Sequence, residues 1–295
     1  KTTPPHLGSI INWALHRGLE PIALDAVPER LAHPQGRKFI CFTFDDGYRD
    51  NAVHGVPIFQ QFRIPWAIYV TTGLTNRSCS LWWYTLEDAL ASGSVLEFRW
   101  RDEEHRFALT SAESKHAAFV TIAGMIRAEQ PETGAQLVSC IAKAAGLDPQ
   151  ERTRELILNW TELREHAADP LITIGAHTIA HPTLCLLDPD EACVQMAGAK
   201  MELETQLQRP IRHMAYPFGG ANAVGAREFQ LAGQCGFLTS VTTRCANLFP
   251  EHAAHLQALP RHGISGNYDP LLRLPRLESG LETLREYDRR RVIVE

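Results

Sequence analysis

The sequence predicts an α/β fold in which a parallel sheet or barrel is wrapped by helices. Two observations carry this. Short apolar runs alternate with segments of helical periodicity along much of the chain. Two of the runs also stop abruptly, one at paired acids with glycine and one at a histidine, as strands do at the sheet end where ligands gather. Taken in order, residues 1–36 read as an N-terminal extension. The run 39–44 (Phe-Ile-Cys-Phe-Thr-Phe) reads as a buried strand that ends at Asp45-Asp46-Gly47. A helix is expected over 50–62 and a strand over 65–71. The alternation then breaks over 74–159, where 95–100 and 105–109 flank Arg101-Asp102-Glu103-Glu104 as a β-hairpin and helix-like stretches fill much of 111–158. Such a long insertion at the mouth of a sheet commonly shapes a substrate groove. A strand over 171–176 follows the helix-like 160–166 and ends at His177. Next come a helix over 188–208, a strand over 211–216, a helix over 223–235 and strands over 237–242 and 255–264. Residues 271–295 read as an appended helix and tail.

The chemistry is concentrated in two of these strand ends. Neighbouring side chains on extended backbone point opposite ways, so Asp45 and Asp46 need a turn to converge, and Gly47 permits one. Taken alone, this could equally be a solvated acidic turn. At the other end, His177 and His181 stand four apart, a spacing at which two rings can grip one ion. In a chain with 13 histidines that spacing is weak evidence by itself. Joint occurrence strengthens both readings. Together the segments supply two imidazoles, one carboxylate ligand and a spare carboxylate, the set a metal hydrolase needs.

These residues resemble the polysaccharide deacetylases that share the NodB homology domain, carbohydrate esterase family 4. Thr43-Phe44-Asp45-Asp46 matches the family's first motif, and His177-Thr178-Ile179-Ala180-His181-Pro182 its second. The resemblance runs from about Arg37 to about Gly266 and implies a distorted, incomplete (β/α) barrel of about seven parallel strands, here a domain over 37–270 interrupted by the insertion. It implies that Asp45 is the catalytic base and that Asp46, His177 and His181 bind a divalent metal. Zn2+ suits two imidazoles and a carboxylate best, although Co2+ or another divalent ion would also fit. The substrate would be an N-acetylated carbohydrate, the alternatives being an O-acetyl ester or a non-sugar amide on the same site, or a catalytically inactive glycan-binding homologue. Trp82, Trp83 and Tyr84 would then either stack on sugar rings or pack the insertion onto the barrel.

Two motifs depart from the family. Its third carries an arginine oriented toward the base, but Ala215 occupies that place; Tyr216-Pro217-Phe218-Gly219 survives. The Phe218 backbone N–H would help to hold the oxyanion, and Tyr216 is a candidate substrate contact. Where relatives end a late strand with the acid histidine of L-x-H, this chain has Arg261, followed by His262. An arginine cannot release its proton at working pH. Arg261 is therefore expected to replace the missing positive charge by pairing with Asp45, and His262 is the alternative acid if a bulge turns it inward.

Composition limits the remaining possibilities. With 295 residues, 44% of them hydrophobic, the chain can bury a substantial core as one enzyme domain with additions. A net charge of −5 and a pI near 6.2 argue against nucleic acid, and no apolar run reaches the length of a transmembrane helix. Seven scattered cysteines without a C-x-x-C pair read as reduced thiols, which favours a cytoplasmic address. The chain begins at Lys1, so a removed leader would instead make it periplasmic or secreted.

Overall fold

The computed structural model describes residues 2–264, 270–286 and 290–294. Two of the boundaries expected above fall outside them: the end of the family-like region near Gly266, and parts of the C-terminal tail (287–289 and 295). In chain order the strands are β1 (Glu20–Pro21), β2 (Phe39–Ile40), β3 (Phe42–Phe44), β4 (Trp66–Val70), β5 (Val95–Trp100), β6 (Glu103–Ala108), β7 (Ile172–Ala176), β8 (His213–Ala215) and β9 (Thr239–Val241). The main sheet has five strands in the order β3-β4-β7-β8-β9, all parallel. One edge is prolonged by the parallel pair β1-β2, with Cys41 interrupting the run that read as one strand, and the other by a single parallel bridge from Val241 to Leu259. The parallel sheet with its flanking helices is the α/β arrangement expected from the sequence. Its main sheet is shorter than the seven strands anticipated.

The sheet is buried on both faces, which is why its strands read as continuous apolar runs. On one face Trp66, Ile68, Val70, Ile172, Ile174 and Met214 pack against the helices Val56–Phe62 and Pro189–Leu207. On the other, Ala67, Tyr69, Ala215 and Val241 enclose a smaller cluster with Leu24, Val27 and Leu259. Because Val70 pairs with Ala176, Ala176 with Met214 and Ala215 with Val241, these strands finish in line. The residues that follow them therefore emerge at one end of the sheet.

The segment expected as a strand over 255–264 is different. It forms a 3-10 turn at Leu256–Ala258, a lone bridge at Leu259, and then extended chain. Pro260 has no N–H to continue the ladder, and only Arg261 N–H rejoins it, donating to Arg244 O at 3.1 Å.

The insertion holds a core of its own. The β5-β6 hairpin turns at Arg101 and Asp102, both with positive φ (49° and 66°), as a two-residue primed turn requires. Leu90, Leu96 and Phe98 pack there with Ile122, Leu137 and Ile141 of the helices Ala112–Ala128 and Pro131–Ala144. Near the C-terminus, the helix Pro270–Glu278 lies against Pro4–His16, sharing Ile10, Leu274 and Leu277. Among the described residues, no helix is long and apolar enough to cross a membrane.

Candidate active site

Four elements deliver the site to one end of the sheet. The chain leaving β3 turns through Asp46 (φ 69°) and Gly47 (φ 77°), which swings the second acid round toward the histidines. His177 continues β7, its N–H donating to Val70 O at 2.8 Å. The loop after it is unusual: Thr178 (φ 63°) and His181 (φ 55°) are both left-handed, and the His181 N–H donates to Thr178 Oγ1 at 3.1 Å. Phe218, beyond β8, has φ 60° inside a tight turn closed from Gly219 N–H to Pro217 O at 2.6 Å. Four of the nine non-glycine residues with positive φ among the described residues thus lie here. Such costly conformations persist where surrounding packing enforces them.

One oxygen and two nitrogens face a common point. Asp46 Oδ1 lies 3.4 Å from His177 Nε2 and 3.5 Å from His181 Nε2. The Nδ1–H of His177 donates to Ala215 O at 2.7 Å, which leaves Nε2 with its lone pair toward Asp46. Asp46 Oδ1 is buried without a hydrogen-bond donor. Two ligands about 2.1 Å from a tetrahedral ion are themselves about 3.4 Å apart. The spacing and the donor set therefore fit a divalent ion such as zinc. Burial works against charging the His177 ring, but the negative charges of Asp45 and Asp46 close by outweigh it and push the ring toward its charged form. Burial dominates at His181 and lowers it to about 4, so that ring is neutral.

Asp45 stands beside this group with a different partner. Arg261 reaches it through two parallel hydrogen bonds, Nη1 to Oδ1 at 2.7 Å and Nη2 to Oδ2 at 2.8 Å. The guanidinium is itself held by Thr242 O at 3.0 Å and Thr43 Oγ1 at 3.1 Å. Burial alone would raise the Asp45 carboxyl, but Arg261, with smaller contributions from the two histidines, brings it down to about 2. Asp45 is therefore ionised at any working pH.

The remaining candidates divide. The Phe218 ring meets His181 edge-on with centroids 4.8 Å apart, and the Phe218 N–H donates to no group among the described residues. Trp83 packs against His181 at 5.2 Å, while its indole N–H donates to Tyr48 Oη at 3.0 Å. Trp82 lies on the wall of a cleft that also includes His181, Phe218 and Arg127. Tyr216 is a correction: it is fully buried on the helix-facing side of the sheet, with its hydroxyl donating to Gln257 O at 2.8 Å, so no substrate can touch it. His262 is another, since its ring nitrogens engage Cys245 and Asn247 rather than the Asp45 group.

Sequence reasoning missed two neighbours. Tyr48, two residues past Asp46, closes on Trp83, and burial together with the Asp46 charge raises its hydroxyl. Arg127, from the insertion, lays its guanidinium over the Phe218 ring at 4.1 Å, and its Nε is buried without a partner. The Asp-Asp-Gly-Tyr spacing was a signal for Tyr48. Nothing local identified Arg127.

Comparison with known proteins bears on the fold and the family. No curated protein matches the chain. Several solved structures share the fold: a deacetylase from Streptococcus pyogenes, PplD, in complex with acetate (TM-score 0.61, 18% identity, 94% of this chain and 87% of that one); IcaB from Ammonifex degensii (0.58, 15%, 92% and 88%); and the deacetylase domain of BpsB from Bordetella bronchiseptica (0.55, 15%, 87% and 83%). In sequence, residues 32–237 match the polysaccharide deacetylase family, from the segment before β2 to just short of β9. Since that match takes in both the Asp45-Asp46 turn and the His177 loop and spans well over half of the chain, the chain belongs to the polysaccharide deacetylase family, whose members are carbohydrate deacetylases.

Proposed function

We propose that this protein is a metal-dependent N-deacetylase acting on N-acetylated amino sugars of an oligosaccharide, polysaccharide or glycan precursor. The observation that carries the reading is the convergence of Asp46, His177 and His181, with a separate carboxylate, Asp45, held ionised beside them. Asp46 and the two histidines would hold the ion, with Zn2+ the first choice and Co2+ a substitute. When bound, it supplies a Lewis acid for the acetamide carbonyl and makes a water more acidic.

The protein's own groups account for the proton and the developing charge. Each Asp45 oxygen spends one lone pair on Arg261 and keeps another to accept the proton of the attacking water. A carboxylate held near 2 is a weak base, yet once protonated it is a strong acid. Arg261 cannot donate a proton and His262 is engaged elsewhere. Asp45 would therefore return the proton to the leaving amine as acetate departs. The Phe218 N–H would donate to the oxyanion. The cleft between the insertion and the His177 loop would receive the glycan, with Trp82 as a stacking surface.

Acetate release from chitooligosaccharides and from acetylated xylan, each with and without chelator, tests the reading. Chelator-sensitive release from the amino sugar is expected. Release from the xylan ester alone would assign the site to O-deacetylation, and no release from either would overturn the proposal.

A further inference from the structure

A second group of reactive side chains lies beyond β9. Arg244 O and Arg261 N–H are hydrogen-bonded, so the next residues, Cys245 and His262, are brought side by side. Cys245 Sγ lies 3.1 Å from His262 Nδ1, and His262 Nε2 lies 2.5 Å from Asn247 Oδ1. The orientation of the Asn247 amide follows from its other end. Its Nδ2 donates to Glu278 O at 3.4 Å, and a carbonyl can only accept, so the amide oxygen must face His262. An amide oxygen likewise only accepts. The neutral His262 ring therefore carries its proton on Nε2, with the Nδ1 lone pair toward the thiol. The Asn247 N–H is anchored on Thr283 Oγ1 at 3.0 Å, which fixes the orienting residue in turn. Nucleophile, base and orienting amide thus stand in the order that activates a cysteine.

The other thiols lack this arrangement. Burial raises Cys41 and Cys235 to about 12, and Cys235 has for its neighbour another thiol, Cys193, at 3.3 Å. Cys140 and Cys185 donate to backbone carbonyls, and Cys79 lies by Ser78. Among the described residues, Cys245 alone has an imidazole at hydrogen-bond distance. Cys245, Asn247 and His262 are each partly exposed.

We propose that Cys245 is a modification site for low-molecular-weight disulfides, activated by His262 and oriented through Asn247. The Sγ proton passes to His262 Nδ1. The thiolate then attacks one sulfur of the disulfide, forming a Cys245–S–S–R bond as the original S–S bond breaks. The departing R–S⁻ takes the proton from the imidazolium. The Cys245 sulfur is oxidised and the departing sulfur reduced, with no other reactant consumed. This site is independent of the deacetylase reading and would hold if that reading failed.

The test uses the full chain and glutathione disulfide near neutral pH, quenched at intervals, with peptide mass spectrometry of all seven cysteines. The mixed disulfide is expected first at Cys245, at least about tenfold faster than at any other cysteine. His262→Gln, which keeps a polar ring-sized group but no base, should lower the Cys245 rate about tenfold, and Asn247→Ala should lower it by a smaller factor. Cys245→Ser should remove the first adduct while leaving acetate release unchanged. A first adduct at any other cysteine, or a His262→Gln rate equal to the parent's, overturns the proposal. Should His262→Gln fail to fold, the ranking of the seven thiols in the parent protein decides it.

Discussion

Replacing Arg261 with alanine isolates what the guanidinium does for Asp45. The two hydrogen bonds put the charge centres about 4 Å apart, where a unit pair is worth about 4 kcal/mol at an effective dielectric of 20. Both side chains retain some exposure, 17% for Arg261 and 28% for Asp45. Solvent screening therefore reduces this to about 2–4 kcal/mol, or about 1.5–3 pKa units. Loss of a neighbouring cation raises a carboxyl, and burial pushes the same way, so Asp45 should climb from about 2 to between about 3.5 and 5. In the parent protein the pairing stabilises the fold above the unfolded value of about 3.9, and that contribution is lost as pH falls toward about 2. The assay is acetate release across the acid range, with bound metal measured at each pH. At neutral pH, Arg261→Ala keeps an ionised but unoriented base, and turnover should fall about a hundredfold. In acid the loss should deepen, because Asp45 now titrates. Arg261→Lys retains the charge without the paired hydrogen bonds, so it should lose turnover and keep the acid limb. An Arg261→Ala profile parallel to the parent's at every pH would refute the reasoning.

Other outcomes follow from the same geometry. Asp45→Asn should lower turnover by about 10²-fold or more with metal content unchanged, read by elemental mass spectrometry; metal loss in that variant would exchange the roles of the two acids. Asp46→Ala or His181→Ala should reduce bound zinc by at least about tenfold, and full occupancy would remove them from the ligand set. Gly175→Ala should cost about 1–3 kcal/mol in urea unfolding, because its new Cβ would lie 2.5 Å from the Tyr69 ring and 2.9 Å from His213 O, both in the core; an unchanged midpoint would contradict the packing. Trp82→Ala and Arg127→Ala should raise KM for longer oligosaccharides with kcat nearly constant, whereas a selective fall in kcat would place them in the chemistry.

The parts of the site carried by contiguous residues were legible in the sequence. Asp45 and Asp46, like His177 and His181, sit at strand ends that hydrophobic patterning locates, and short motifs identify them. Faces were harder. Tyr216 lies inside a recognised motif, but alternation from Ala215 turns its side chain to the helix side of the sheet, and only the left-handed turn at Phe218 (φ 60°) brings the next aromatic ring toward the site. The 255–264 segment has strand composition, yet Pro260 interrupts its pairing. His262 went to Cys245 and Asn247 because the partners that fix a side chain are set by tertiary packing. Arg127 reaches Phe218 only because the insertion folds back over the sheet end, and no local pattern encodes that approach.

The pair between Arg261 and Asp45 spans 216 positions of sequence, and this has a consequence in time. A ribosome adding about 5–20 residues per second makes Asp45 roughly 10–40 s before it reaches the arginine. Until then Asp45 must stay hydrated or become protonated, because a buried, uncompensated carboxylate is too costly. The last closure of the sheet edge, near Leu259, is thus also the moment at which the base acquires its counter-charge. The family match stops at residue 237, so a gene fragment cut at that boundary would encode every proposed metal ligand and both acids while omitting Arg261. Such a fragment should bind metal more readily than it turns over substrate.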